Sequence, residues 1–84
     1  MNNFYITFRS VTFAQRGEKL FQTNGIRCTL LRTPGWMQEQ GCGYCLKLWT
    51  EDISAAAELL RRNRVPMRKI YVQHAEDQLE EVRL

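Results

Sequence analysis

The sequence predicts one small α+β domain with the element order β-α-β-β-α-β. Three observations predict it: short alternating runs of strand-forming residues, two segments with apolar residues at helical spacing, and turn or capping residues between them. A chain of 84 residues can bury one core but not two. Its charged fraction of 25% and apolar fraction of 44% are those of an ordinary folded domain and argue against intrinsic disorder.

The first half of the chain supplies a strand, a helix and a second strand. Residues 4–8 (Phe-Tyr-Ile-Thr-Phe) alternate and predict strand one. Ser10 is a suitable N-cap for the helix that follows, and Gly17 on its apolar face favours close packing on a sheet. Asn24-Gly25 ends this helix, because both residues tolerate a positive φ. Residues 26–32 predict strand two.

The second half repeats the pattern after a loop over residues 34–43. Residues 44–49 predict strand three, and Thr50 is the expected cap of a second helix. Val65-Pro66 ends that helix, and residues 69–72 predict strand four. Two halves of this kind predict a ferredoxin-like sandwich, in which two helices cover one face of a four-stranded antiparallel sheet.

Charge divides the chain into a basic body and an acidic end. Residues 1–73, the predicted domain, hold eleven Lys and Arg against five Asp and Glu, a net of +6. Residues 74–84 hold one Arg against four acids, and we expect them to form a short helix or a frayed tail. A basic body favours anionic partners, or a thiolate of its own.

The expected location is the cytoplasm. The first residues show no basic region followed by an apolar core, and no run approaches the ~20 apolar residues that span a bilayer. The three cysteines, Cys28, Cys42 and Cys45, should therefore stay reduced, and their odd number argues against a disulfide framework. We expect no membrane association.

Cys42 and Gly43, at the start of strand three, are the best candidates for chemistry. In the predicted topology strand three runs antiparallel to strand one, so its start lies beside the end of strand one and the beginning of the first helix. Backbone N–H groups at that helix start, from Ser10 onward, favour an anion. Arg9, Arg32 and Arg68 are expected at the same end. Such surroundings lower the pKa of a thiol.

Other thiol chemistry is less favoured by the pattern. Cys42-Gly43-Tyr44-Cys45 has C-x-x-C spacing, but on a strand positions 42 and 45 point to opposite faces, so dithiol redox chemistry is not the first choice. Cys45 remains a candidate second thiol. A zinc site would need a second cysteine pair or a closely spaced histidine pair, and the chain has neither. We expect no metal and no cofactor, and Cys28 to be a buried apolar residue.

The sheet face away from the helices offers a different function, that of a non-catalytic binding module. It combines Tyr5, Trp49 and Tyr71 with cations such as Arg27 and Lys47, as RNA-binding sheets do. The chain lacks the aromatic-glycine run typical of those domains. The sequence therefore favours pairing with a second copy over RNA, and nucleic acid is not an expected partner.

Several short motifs together resemble a known family. The opening Phe4–Ser10 segment before a helix, Asn24-Gly25-Ile26, Pro34, and Cys42-Gly43 before a strand containing Lys47 are similar to the small bacterial family of selenium/sulfur carrier protein-like domains. The resemblance covers residues 3–73. Cys45 and the polar loop at residues 36–40 depart from the family pattern.

The resemblance implies a carrier without turnover of its own. Cys42 would hold a persulfide sulfur or selenium, received from a donor such as a cysteine desulfurase and passed to an acceptor protein. It does not say which element is carried, or whether Cys45 takes part.

Overall fold

A computed structural model describes residues 2–33, 43–76 and 78–84. In chain order its elements are β1 (Asn2–Thr7), α1 (Val11–Thr23), β2 (Arg27–Arg32), β3 (Tyr44–Thr50), α2 (Ile53–Arg62), β4 (Ile70–Ala75) and β5 (Gln78–Val82). The strands form one antiparallel sheet in the order β2-β3-β1-β4-β5. The predicted α+β class is confirmed. Neither helix is long and apolar enough to cross a membrane.

The described sheet has five strands, so the predicted count of four is wrong. The tail was expected to be helical or frayed, but β5 pairs with β4 at the sheet edge, with Val82 opposite Ile70. Val82 packs against the core, and His74 Nε2 lies 2.7 Å from Glu80 Oε1 across the two strands. Acidic residues have a low β-propensity, so the sequence did not predict β5. Charged side chains are nevertheless common on an exposed edge strand, because they discourage pairing with other chains. The finer ferredoxin-like assignment stays a prediction.

The core lies between the two helices and one face of the sheet. Alternate residues of β1, β3 and β4 fill it, as the sequence pattern predicted, because successive side chains on a strand point to opposite faces. The buried apolar residues are Phe4, Ile6, Phe8, Ala14, Phe21, Leu46, Leu48, Ala56, Ala57, Leu60, Val65 and Ile70. The other face of the sheet is left without either helix.

The helix boundaries follow capping chemistry. Phe13 N donates to Ser10 Oγ at 3.2 Å, so Ser10 is the N-cap of α1 as predicted. Helix α2 is capped by Asp52 and not by Thr50, because Ala55 N donates to Asp52 Oδ1 at 3.0 Å. Thr50 instead ends β3 and accepts the Asp52 N–H at 3.1 Å.

Gly17 lets α1 lie close to the sheet. A Cβ at this position would be 3.1 Å from Leu46 Cδ1, 3.2 Å from Phe8 Cζ and 3.5 Å from Leu60 Cδ2. All three neighbours are fully buried, so they have little room to move aside. The sequence expectation of close packing at this glycine is confirmed.

Gly17→Val is expected to lower the free energy of unfolding by about 1–3 kcal/mol, because its side chain would overpack the core. The measurement is the urea midpoint followed by circular dichroism. Gln15→Val is the matched control, since residue 15 is exposed on the same helix and pays only the small helix-propensity cost. Equal midpoints for the two variants would contradict close packing at Gly17.

Candidate functional site

The predicted thiol Cys42 lies outside the described residues, and its neighbour Gly43 is the first described residue on that side. Gly43 has a φ of +78°, in the region that favours glycine over residues with a side chain. Its carbonyl accepts a hydrogen bond from Thr33 N at 2.8 Å, which joins the end of β2 to the approach to β3. The position of Gly43 therefore fixes where the chain enters β3.

Four strand ends meet at this edge of the sheet. Thr7, the last residue of β1, lies opposite Cys45 near the start of β3, and Arg32 at the end of β2 lies opposite Tyr44. Arg68 N donates to Thr7 O at 2.8 Å, so the chain entering β4 arrives at the same edge. The adjacency of the β1 end and the β3 start, predicted from topology, is confirmed. We call this end of the sheet, where β1 and β2 stop and β3 and β4 begin, the β3-start edge.

The first turn of α1 also begins at the β3-start edge. Ser10 accepts the N–H groups of Phe13 and Ala14 through its hydroxyl and its carbonyl, at 3.2 and 3.1 Å. Within the described part of the chain, the N–H groups of Val11 and Thr12 have no acceptor at this terminus. Unpaired N–H groups at the start of a helix carry partial positive charge, which favours an anion nearby.

The predicted arginines lie along the same edge at different distances from β3. Neighbouring strands are about 4.8 Å apart, so Arg32 on β2 and Arg9 after β1 are each one strand away from β3, and Arg68 is two strands away. Arg9 and Arg32 are exposed and Arg68 is half-buried. The guanidinium of Arg32 lies over the Tyr44 ring, with Cζ 5.4 Å from its centroid. Arg68 is therefore the weakest candidate of the three.

A basic cavity of about 220 Å³ lies beside Arg68, between the end of α2 and strands β4 and β5. Arg61, Arg68 and Arg83 contribute to its lining, together with Glu81. Sequence reasoning missed Arg83, because it assigned the C-terminal residues to a tail. Residues 78–83 show no alternation of apolar and polar side chains, so the sequence carries no periodic signal that would have placed Arg83 beside the sheet.

Cys28 is a poorly reactive thiol. It is half-buried beside α1, and its Sγ donates to Glu18 O over 3.8 Å. Burial, together with the nearby Glu18 carboxylate, raises the pKa of Cys28 to about 11. Because the thiolate is the nucleophile, Cys28 should be almost inert near neutral pH.

Alkylation of Cys28 by iodoacetamide is expected to be slow at pH 8 in the folded protein, because about one thiol in a thousand is ionised when the pKa is about 11. Peptide mapping by mass spectrometry at increasing pH measures it. The same protein in urea is the control, since an unfolded thiol returns to a pKa of about 8.5 and reacts readily. Equal labelling rates with and without urea would contradict the environment described for Cys28.

Cys45, the candidate second thiol, is fully buried, with 0% of its surface exposed. It lies opposite Thr7 on one side and Leu31 on the other, on the sheet face away from the helices. A reagent could reach it only after the surrounding structure opens. No group of three or more metal-ligating side chains occurs within residues 2–33, 43–76 and 78–84.

Comparison with known proteins identifies a family. No curated protein sequence matches the chain significantly, and no solved structure does. Residues 3–72 match the family model described as "Putative Se/S carrier protein-like". This match spans the chain from β1 into β4 and includes both helices. The chain therefore belongs to the Se/S carrier protein-like family.

Proposed function

We propose that this protein carries sulfane sulfur or selenium bound to Cys42, taking it from a donor protein and passing it to an acceptor. The observation that carries the proposal is the β3-start edge. There the start of α1, with its unpaired N–H groups, and two arginines, Arg9 and Arg32, lie at the same end of the sheet as the start of the strand that begins two residues after Cys42. Family membership supports a carrier without turnover of its own.

The other two thiols are poorly suited to carry sulfur, which supports the choice of Cys42. Cys28 has its pKa raised to about 11, and Cys45 has no exposed surface. A carrier thiol needs the opposite properties, since it must be ionised near neutral pH and must meet the sulfur of another protein. A cytoplasmic location, where thiols stay reduced, fits this role.

Sulfur transfer to Cys42 is a displacement without net oxidation. The Cys42 thiolate attacks the terminal sulfur of a persulfide on the donor cysteine. The bond between that sulfur and the donor Sγ breaks, and the donor leaves as a thiolate while Cys42 becomes the persulfide. An acceptor thiolate repeats the step on Cys42. Negative charge is present throughout, so cations and helix N–H groups stabilise every stage.

Loading by a cysteine desulfurase supplied with cysteine tests the proposal. We expect the intact mass to rise by one sulfur atom, reversibly with dithiothreitol, and peptide mapping to place that atom on Cys42. The alkylation rate of Cys42 should reach half its maximum below the ordinary thiol pKa of about 8.5. A protein that takes up no sulfur, with a Cys42 that alkylates no faster than a free thiol, would refute the carrier role.

A further inference from the structure

Beyond the row formed by Leu31, Cys45 and Thr7, the sheet face away from the helices carries two further cross-strand rows of side chains, set by the strand register. We call them together the open face. One row is Thr29, Lys47, Tyr5, Tyr71 and Glu81, and the other is Arg27, Trp49, Asn3, Gln73 and Leu79. Both helices pack on the opposite face, so neither of them covers these rows.

Aromatic rings and cations alternate on the open face. Lys47 Nζ lies 5.3 Å from the Trp49 ring centroid and 5.8 Å from that of Tyr5, and Arg27 Cζ lies 5.6 Å from Trp49. Tyr71 is directly opposite Tyr5 on the next strand. All three rings are half-buried, so part of each remains accessible. The face thus presents three stacking surfaces on adjacent strands, with positive charge beside two of them.

We propose that the open face binds single-stranded RNA. Unstacked bases pack on aromatic side chains of sheets, while cations track the phosphates. Here Tyr5, Trp49 and Tyr71 stack the bases, and Arg27 and Lys47 meet the backbone. RNA binding at the open face does not depend on the carrier role, because none of these residues belongs to the β3-start edge.

Amide side chains beside the rings favour RNA over a partner that would be bound by charge alone, because amides can form hydrogen bonds to bases and sugars. Asn3 Nδ2 and Tyr5 Oη both point to Gln73 Oε1, at 3.4 and 3.3 Å. These bonds are long, so the amides can exchange them for bonds to base edges and 2′-hydroxyls. The 2′-hydroxyl is the group that distinguishes RNA from DNA.

Charge argues against the second copy that the sequence alone favoured for this face. Two stacked open faces would enclose four cations, Arg27 and Lys47 of each chain, in one interface. Glu81 is the one acid in the two rows, and its Oε2 already lies 3.6 Å from Arg83 Nε. A second copy therefore brings too little negative charge, whereas an RNA strand supplies one per phosphate.

Fluorescence anisotropy with a labelled single strand of about ten nucleotides tests the proposal. We expect binding to the full chain that weakens between about 50 and 200 mM salt, by about 0.7 in log affinity per log salt for each phosphate neutralised. Tyr5→Leu and Tyr71→Leu should each reduce affinity ~10-fold by removing a stacking surface. Tyr5→Phe, which keeps the ring, should bind nearly as well as the unchanged protein.

Arg27→Gln and Arg32→Gln form a matched pair. Both arginines are exposed on β2 and lie over a ring of β3, at 5.6 Å for Arg27 and 5.4 Å for Arg32, but they face opposite sides of the sheet. Arg27→Gln should lower the salt slope by about 0.7, and Arg32→Gln should not. Conversely, only Arg32→Gln should slow alkylation of Cys42, so the RNA and carrier proposals can fail separately.

Four outcomes would overturn RNA binding by the open face. They are no binding at about 50 mM salt, equal losses for the two arginine variants, equal affinity for DNA of the same sequence, and unchanged binding in Tyr5→Leu. Sedimentation of each variant measures its oligomeric state and so tests self-association directly. A dimer that dissociates in Tyr5→Leu would assign the face to a second copy instead.

Discussion

Cys42→Ser is expected to abolish sulfur loading, whereas Cys28→Ser should load as the unchanged protein does. A serine hydroxyl cannot form a persulfide, and Cys28, with its pKa raised to about 11, contributes almost no thiolate near neutral pH. Intact-mass measurement after incubation with the desulfurase and cysteine gives the loaded fraction for each variant. Circular dichroism shows whether both variants keep the fold, so that a lost signal reports on the thiol.

A variant of the buried Cys45 tests whether Cys42 alone is sufficient for sulfur loading. Cys45→Ala removes the only other thiol at the start of β3 among the described residues, with little change in side-chain volume. A folded Cys45→Ala protein that still loads supports the single-thiol mechanism. Loss of loading in that variant, or full loading in Cys42→Ser, would contradict the mechanism, because the second thiol would then take part.

The core and the site edge could be predicted because they depend on local pattern and simple topology. Alternation placed Phe4, Ile6 and Phe8 on one face of β1, and the structure buries all three. Two helices joined to antiparallel strands leave few arrangements, and these put the end of β1 beside the start of β3. This topological restriction was sufficient to predict that Arg9 and Arg32 lie at the same edge of the sheet as Gly43.

Features that depend on contacts between distant segments could not be predicted. Strand β5 exists because β4 offers an edge and Val82 reaches the core, and neither fact is visible in an acidic stretch of sequence. The full burial of Cys45 is a second case, since alternation gives the face of a side chain and not what covers it. The cap of α2 was displaced from Thr50 to Asp52 because β3 extends through Thr50.

Phe8→Ala is expected to lower the free energy of unfolding by about 3–5 kcal/mol, the usual cost of removing a buried phenylalanine. Phe8 is 1% exposed, and its Cζ lies against the backbone of Gly17. For 84 residues the whole stability is of the order of 4–13 kcal/mol, so this one change removes a large share. Urea denaturation measures the loss. Phe13→Ala, at a half-buried position on α1, is the control and should cost less.

Phe8 also connects the core to the β3-start edge, because it immediately precedes Arg9 and the N-cap Ser10. A cavity beneath this junction should loosen the first turn of α1 before the domain unfolds. If that turn stabilises the Cys42 thiolate, the alkylation midpoint of Cys42 should rise toward that of a free thiol in Phe8→Ala, and stay low in Phe13→Ala. Phe8→Leu provides the same comparison should the alanine variant not fold. An unchanged midpoint in a folded but destabilised Phe8 variant would mean that the thiolate does not depend on the helix start.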